Sequence, residues 1–324
     1  MAPGPLFVVG LWRSGTSLLY ALLNQHPQIS ILYEGDLPTM GALFPFGRAK
    51  RDWLARWNFW NNAPGRHRLE EGDLPRSLGL RAATETVCRQ YAARKGATIW
   101  GCKSPAYHNQ LPFLARTFPN ARFIVIWRDL ADICRSIVRA GESSSYFSQS
   151  GILRRAILGY EQLKRGCDAL LRSGAPLHQL HYEEMVRFPQ AEMTAICDFL
   201  QIPFDSRMLS LEGADISAVY PDEHHALLRT GTIMPSGPTA EILSPATKAK
   251  IDRYVGKWKK ETQQFWPRYP LMAPACRPHL SAGEALLDRC FYRILRSYDR
   301  AKLWLYAFLP LPLLRRYRQV RHRP

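Results

Sequence analysis

FVVGLWRSGTSLLYALLNQHP, Phe7 to Pro27, passes from an apolar strand through a glycine loop into a helix. The loop, Gly10-Leu11-Trp12-Arg13-Ser14-Gly15-Thr16-Ser17, has the spacing of the phosphate-cradling turn G-x-x-x-x-G-K-[ST], with Thr16 where the lysine should stand. Leu6 to Gly10 is a short apolar run ending in glycine, whereas apolar residues at 18, 19, 22 and 23 follow helical spacing until His26-Pro27 stops them. Such a turn surrounds an anion with backbone N–H groups and a helix N-terminus. A triphosphate site needs the missing lysine to bridge its β- and γ-phosphates. Arg13, three residues earlier, carries a planar fork suited to a single phosphate and whatever leaves from it. Backbone N–H groups, the hydroxyls of Ser14, Thr16 and Ser17, and one arginine therefore suit a 5′-phosphate bearing a transferable group.

Working outward, ISIL (29 to 32) reads as a second strand, ending at Tyr33-Glu34-Gly35-Asp36. Residues 38 to 80, rich in Trp, Pro, Gly and Arg, read as an insertion with short helices on the acceptor side. A helix over 80 to 95 precedes ATIWGCKSP, a strand ending at Lys103, and LPFLARTFP is a helix again. ARFIVIWRD (121 to 129) is the strongest buried-strand signal, and DLADICRSIVRA (129 to 140) follows it as a helix. A serine-rich loop (143 to 150), a long helix (about 151 to 172), the strand LHQLHYEEM (177 to 185) and a helix near 190 to 201 complete the alternation. This order predicts an α/β fold with a parallel central sheet and helices on both faces, a three-layer sandwich of the P-loop NTPase kind. Periodicity fades after 205 until a helix capped at Ser244 with Pro245 in its first turn. The economical division is a catalytic domain over 1–268 and a helical, basic appendage over 269–324.

The 324 residues carry a net charge of +17, which calls for a polyanionic partner: nucleic acid, anionic membrane, acidic substrate or phosphorylated cofactor. Seven scattered cysteines without a C-x-x-C pair argue against a disulfide framework or zinc site and for a reducing compartment. With no cationic leader ahead of the strand at Leu6, a cytoplasmic location is expected. The apolar run Leu303 to Leu314 is broken by Pro310 and Pro312 and is too short to span a bilayer. With the arginines of RRYRQVRHR (315 to 323) it can either touch a membrane surface peripherally or pack on the catalytic domain. His224-His225 lacks a partner at metal-ligand spacing and reads as solvated loop.

The second motif is IVIWRDLADICRSIVRA. Arg128 leaves the carboxyl end of the strong strand, and Asp132, Ser136 and Arg139 fall at i, i+4 and i+7 on one helix face. Arg128, Ser136 and Arg139 can converge on a second anion near the first loop, because ligands of open parallel sheets bind at the carboxyl ends of strands. Two phosphate sites without a triphosphate lysine describe 3′-phosphoadenosine 5′-phosphosulfate (PAPS).

Here the chain resembles the PAPS-dependent sulfotransferases, over about residues 5 to 205, and is nearest their tyrosylprotein and related bacterial branch. The resemblance implies that Arg13, Ser14, Gly15, Thr16 and Ser17 hold the 5′-phosphosulfate, and that Arg128, Ser136 and Arg139 hold the 3′-phosphate. It implies Glu34, after His26-Pro27, as general base, Lys103 and Arg13 as stabilisers of the sulfonate and bridging oxygen, and Tyr182 as a strand tyrosine touching the cofactor. No metal and no nucleic acid enter this scheme. The tyrosine-sulfating pattern Glu-Glu-Thr-Arg is here Tyr33-Glu34-Gly35-Asp36, which puts a peptide-tyrosine acceptor in doubt and leaves sulfuryl transfer intact. A glycan, a lipid, a small alcohol or phenol and a peptide tyrosine all offer the needed hydroxyl. RTGTIMPSGP (229 to 238) stands where the family folds a loop over the cofactor, without a secure match for any residue. The rivals are a nucleotide kinase, which needs a Mg²⁺–triphosphate site, and a nucleic-acid-binding protein, which needs no Glu34.

Overall fold

The computed structural model describes residues 4–35 and 80–219, apart from Ser145 and Ser150, with isolated positions elsewhere. The expected insertion over 38 to 80, the domain boundary near 268, the helix capped at Ser244, His224-His225 and the basic tail lie, wholly or nearly so, outside the described residues.

The elements are β1 (Leu6–Val9), α1 (Thr16–Gln25), β2 (Ile29–Tyr33), α2 (Leu80–Ala93) and β3 (Ile99–Lys103), then a 3₁₀ turn (Pro105–Asn109) and α3 (Leu111–Thr117). There follow β4 (Arg122–Trp127), α4 (Leu130–Ser143), α5 (Ile152–Arg172), β5 (Leu177–His181), α6 (Tyr182–Arg187), α7 (Pro189–Leu200) and a 3₁₀ turn (Ser206–Leu209). Five strands form one sheet in the order β2-β3-β1-β4-β5, with every pair parallel. The predicted alternation of strand and helix is thus the observed one.

Strand periodicity divides the core between the two faces. Phe7 and Val9 of β1, with Phe123, Val125 and Trp127 of β4, pack against α2, α3, α4 and α5. Their neighbours Leu6, Val8, Ile124 and Ile126 face α1, α6 and α7. Both faces of a parallel sheet are covered, so the strands read as continuous apolar runs rather than alternating ones.

The end of α1 shows how the edge is finished. His26 turns the chain into extended backbone before Pro27; its Nδ1 accepts from Gln28 N–H at 3.1 Å while its Nε2–H donates to the Pro203 carbonyl at 2.9 Å. The Lys95 ammonium donates to the carbonyls of Asn24, His26 (2.9 Å) and Ile29 (3.0 Å), placing a cation where helix carbonyls lack partners. Asn24 pairs its amide with both backbone groups of Ile31, at 2.8 and 3.2 Å, and so occupies the outer edge of β2 in place of another strand.

One element departs from the sequence reading. The strand expected to reach residue 185 stops at His181, and Tyr182 opens α6. His181 pairs with Trp127, the last residue of β4, so beyond it no neighbouring strand remains to hold the ladder. Glu183 and Glu184 then suit the first turn of a helix, where the dipole favours negative charge.

Candidate functional site

Each strand delivers a site residue at its carboxyl end: β1 the loop from Gly10, β2 Glu34, β3 Lys103, β4 Arg128 and β5 Tyr182. Because β1 lies between β3 and β4, the chain crosses to opposite sides of it, which opens the crevice where such folds place ligands.

The loop is built on two left-handed residues, Gly15 at φ 94° and Arg13 at φ 68°. Glycine adopts that conformation without strain, and at Gly15 a Cβ would also stand 2.4 Å from the Tyr182 ring. Arginine does so at a cost, sustained here because both its ends are tied. Its Nε donates to Ser136 Oγ at 2.9 Å, and its carbonyl accepts from Arg128 Nη1 at 2.8 Å. Arg128 in turn lies over the Tyr182 ring, 4.4 Å from the centroid. Arg13, Arg128, Ser136 and Tyr182 therefore form one connected group across three strands.

The serines and threonine of the loop differ in placement. Ser14, almost wholly buried, donates its hydroxyl to the Leu11 carbonyl at 2.7 Å, which braces the turn from within. Thr16 is buried at the start of α1. The Ser17 hydroxyl instead faces the crevice side, 2.9 Å from Tyr33 OH and 3.3 Å from Lys103 Nζ. The first turn of α1 adds N–H groups that no carbonyl earlier in that helix can accept.

Among the described residues Lys103 is the most deeply placed charge, with its side chain 1% exposed against 25% for Glu34. Its Nζ donates to Glu34 Oε1 at 2.8 Å and sits 4.1 Å from the centre of the Tyr33 ring, while Glu34 N–H donates to the Lys103 carbonyl at 2.6 Å. Burial pushes the Lys103 ammonium toward losing its proton; the Glu34 carboxylate and Tyr33 outweigh that and hold it above the usual lysine range. Glu34 takes a left-handed backbone, φ 45°, at the point where β2 ends.

Helix α4 starts on Asp129, whose Oδ1 accepts from the N–H groups of Ala131 and Asp132. Asp132 is engaged by Arg135 of its own helix at 2.6 Å. Arg139 lies at the exposed surface of α4, and no described contact joins it to Arg13, Arg128 or Ser136. The structure thus gathers Arg13, Ser17, Glu34, Lys103, Arg128, Ser136 and Tyr182, with Ser14 and Thr16 set behind the loop and Arg139 outside the group. His108 is buried under Trp12, ring centroids 5.2 Å apart. Its Nδ1–H donates to the Pro105 carbonyl at 2.8 Å, and burial pushes its pKa down to about 4.

Sequence reasoning passed over Tyr33. An aromatic at the end of an apolar strand looks like core, and the available signal was its position directly before Glu34.

A family model described as Sulfotransferase family matches residues 5–206. Protein-tyrosine sulfotransferase 1 of Danio rerio is 26% identical over 276 residues, 80% of this chain and 68% of that protein. Protein-tyrosine sulfotransferase A of Caenorhabditis elegans is 25% identical over 222 residues, 65% of this chain and 54% of that protein. The chain thus spans between about half and two thirds of the length of these two relatives. Among solved structures, the sulfotransferase domain of the Synechococcus PCC 7002 olefin synthase aligns with a TM-score of 0.49 at 20% identity, covering 78% of this chain and 95% of that domain.

Proposed function

The chain belongs to the sulfotransferase family, and from that premise we propose that it moves the sulfuryl group of PAPS to a hydroxyl acceptor, with Glu34 taking the acceptor's proton. One observation carries the reading: the loop that lacks a triphosphate lysine holds its own arginine against Ser136 and Arg128, while beside Ser17 a buried lysine is paired with a carboxylate. Two cationic groups next to a proton acceptor are what transfer from an anhydride to an alcohol requires.

PAPS supplies the activated sulfuryl group. The donor set fits it: the first turn of α1, Arg13 and Ser17 would hold the 5′-phosphosulfate, and Arg128 with Ser136 would hold the 3′-phosphate. Arg139, placed apart from them, contributes long-range charge. Lys103 and Arg13 bring fixed positive charge to the oxygens that gain negative charge, without reorganisation at that moment. Glu34, held by Lys103 at 2.8 Å, would take the acceptor's proton while that ammonium also serves the sulfonate oxygens. Tyr182 keeps Gly15 and Arg128 apart at a fixed spacing.

The acceptor is a hydroxyl compound, whether glycan, lipid, small alcohol or peptide tyrosine; the relatives named for protein tyrosine favour the last, and Asp36 in place of arginine disfavours it. The reading includes a reducing, cytoplasmic setting, in keeping with the buried thiols of Cys88, Cys134, Cys167 and Cys197.

Calorimetry with 3′,5′-adenosine bisphosphate, without Mg²⁺, tests the reading. Metal-independent binding is expected in the wild type and a loss of about 10-fold or more in Arg128→Ala, since hydrogen bonds to charged groups contribute about 1.5–3 kcal/mol. Preference for ATP–Mg²⁺, or no binding of the bisphosphate, overturns it.

A further inference from the structure

We infer that Tyr33 is a positioning residue for sulfuryl transfer: its ring holds the Lys103 ammonium in place and its hydroxyl holds Ser17, coupling the buried cation to the phosphate loop. The inference rests on the proposed sulfotransferase chemistry, in which Lys103 serves the reacting oxygens.

Tyr33 and Lys103 are register partners on the adjacent parallel strands β2 and β3, so their side chains leave the same face of the sheet side by side. That face is covered by α1, which contributes Ser17 from its first turn and Tyr20 from its second; the Tyr20 and Tyr33 rings meet edge to face at 4.9 Å. Tyr33 is 2% exposed, so its ring cannot swing away into solvent. Its face lies 4.1 Å from Lys103 Nζ and its hydroxyl 2.9 Å from Ser17 Oγ, which itself accepts from Nζ at 3.3 Å. Tyr33, Ser17 and Lys103 close a three-cornered contact, which Glu34 meets from outside at the ammonium.

The ring does something that a carboxylate in its place would not. A second acid would hold Lys103 more tightly but would repel an incoming anion and compete for the ammonium. The negative face of an aromatic ring stabilises the desolvated cation without adding a second charge, while the ammonium's hydrogens meet Glu34, Ser17 and the Tyr33 hydroxyl. Because Tyr33 adds no second negative charge beside Glu34, Lys103 can shift its main partner from Glu34 to a sulfonate oxygen without moving far. The titratable groups facing it are Glu34 and Tyr33, and both raise its proton affinity against the effect of burial.

Tyr33→Phe keeps the ring and removes the hydroxyl; Tyr33→Leu removes both. In the full chain, Tyr33→Phe is expected to raise the KM for PAPS a few-fold, as Ser17 loses a partner, with kcat within about 3-fold of wild type. Tyr33→Leu is expected to lower kcat about 10- to 30-fold, the size of a desolvated cation–π contact, with a smaller change in KM. Independently of any activity, NMR titration of the ¹³Cε-labelled Lys103 side chain in protein without ligand should show the ammonium losing its proton at lower pH in Tyr33→Leu, and by a smaller shift in Tyr33→Phe, which keeps the ring but loses the hydroxyl's hydrogen bond to the ammonium. If Tyr33→Leu does not fold, a ring-fluorinated phenylalanine at position 33 replaces it, weakening the ring's negative face with little change of shape; it should move the Lys103 titration in the same direction. Unchanged kcat and unchanged Lys103 titration in a folded Leu or fluorinated variant would overturn the inference. Wild-type protein that fails to bind the bisphosphate would instead remove the sulfotransferase reading, and the ligand-free titration would still decide whether Tyr33 holds Lys103.

Discussion

The two halves of the crevice hold their cations differently. Lys103 is buried and ion-paired, with a carboxylate at 2.8 Å and a ring face at 4.1 Å. Arg13 and Arg128 are half-buried: Arg13 donates to a serine hydroxyl, and Arg128 reaches a backbone carbonyl and lies over the ring of Tyr182. Glu183 stands close enough to Arg128 for the guanidinium to oppose the rise that burial imposes on its carboxyl. A guanidinium keeps its charge whatever its neighbours and offers a planar fork to an anion, whereas an ammonium in contact with a carboxylate sets a proton acceptor beside it. The arginine half is accordingly suited to binding and the lysine half to chemistry.

Breaking the lysine half should give the largest effects. Glu34→Gln removes the proton acceptor and is expected to lower kcat by about 10²–10⁴-fold, read from steady-state kinetics with saturating PAPS. The same change strands the buried ammonium, so thermal unfolding should show a loss on the order of 3 kcal/mol. Lys103→Met should also abolish most turnover yet cost much less stability, because it leaves behind a carboxylate already one quarter exposed. Equal destabilisation by the two substitutions would contradict the asymmetry of burial on which the contrast rests.

Beneath the arginine half, His108 supports Trp12, the residue before Arg13, and its proton affinity gives a pH test. Its pKa falls from 6.5 to about 4 on folding, so the unfolded chain binds the extra proton between those values. The stabilisation is fully present above pH 6.5 and is lost as the pH falls toward 4, about 3 kcal/mol over the window. Urea unfolding at pH 7, 5.5 and 4.5 should show this dependence weakened in His108→Asn; the same slope in both proteins would place the histidine in a solvated setting instead.

The smallest change expected is in Ser136→Ala. Removing the hydroxyl that receives Arg13 Nε should weaken bisphosphate binding about 5-fold, equivalent to about 1 kcal/mol, while leaving the Lys103 titration where it is. A shift in that titration would show that the halves are coupled through Arg13 and that the division drawn above is too sharp.

Much of this was legible from local pattern. The sheet could be ordered into strand and helix because strands buried on both faces are apolar runs, and the loop could be recognised because its function depends on backbone spacing. Arg128 was legible because it stands at the end of such a run, and in an open parallel sheet that position marks the crevice; Glu34 and Lys103 also stand at strand ends, but it was the resemblance to the sulfotransferases that singled them out. Tyr182 was placed in a strand because the end of β5 is set by where β4 stops, a fact about a neighbour rather than about LHQLHYEEM itself. Ser14 was counted with the other hydroxyls, since no pattern in the sequence tells that it turns back to Leu11 while Ser17 turns outward.

By itself, then, the sequence determined the α/β order, the lysine-free phosphate loop and the residues standing at the strand ends, because periodicity and spacing are properties of neighbours along the chain. Tertiary structure decided that Arg13 reaches Ser136, 123 positions away, that Lys103 rests on Tyr33 and Glu34, and that Arg139 stands apart. Register between strands and the side on which a helix packs fix which side chains meet, and both depend on burial shared among segments far apart in sequence.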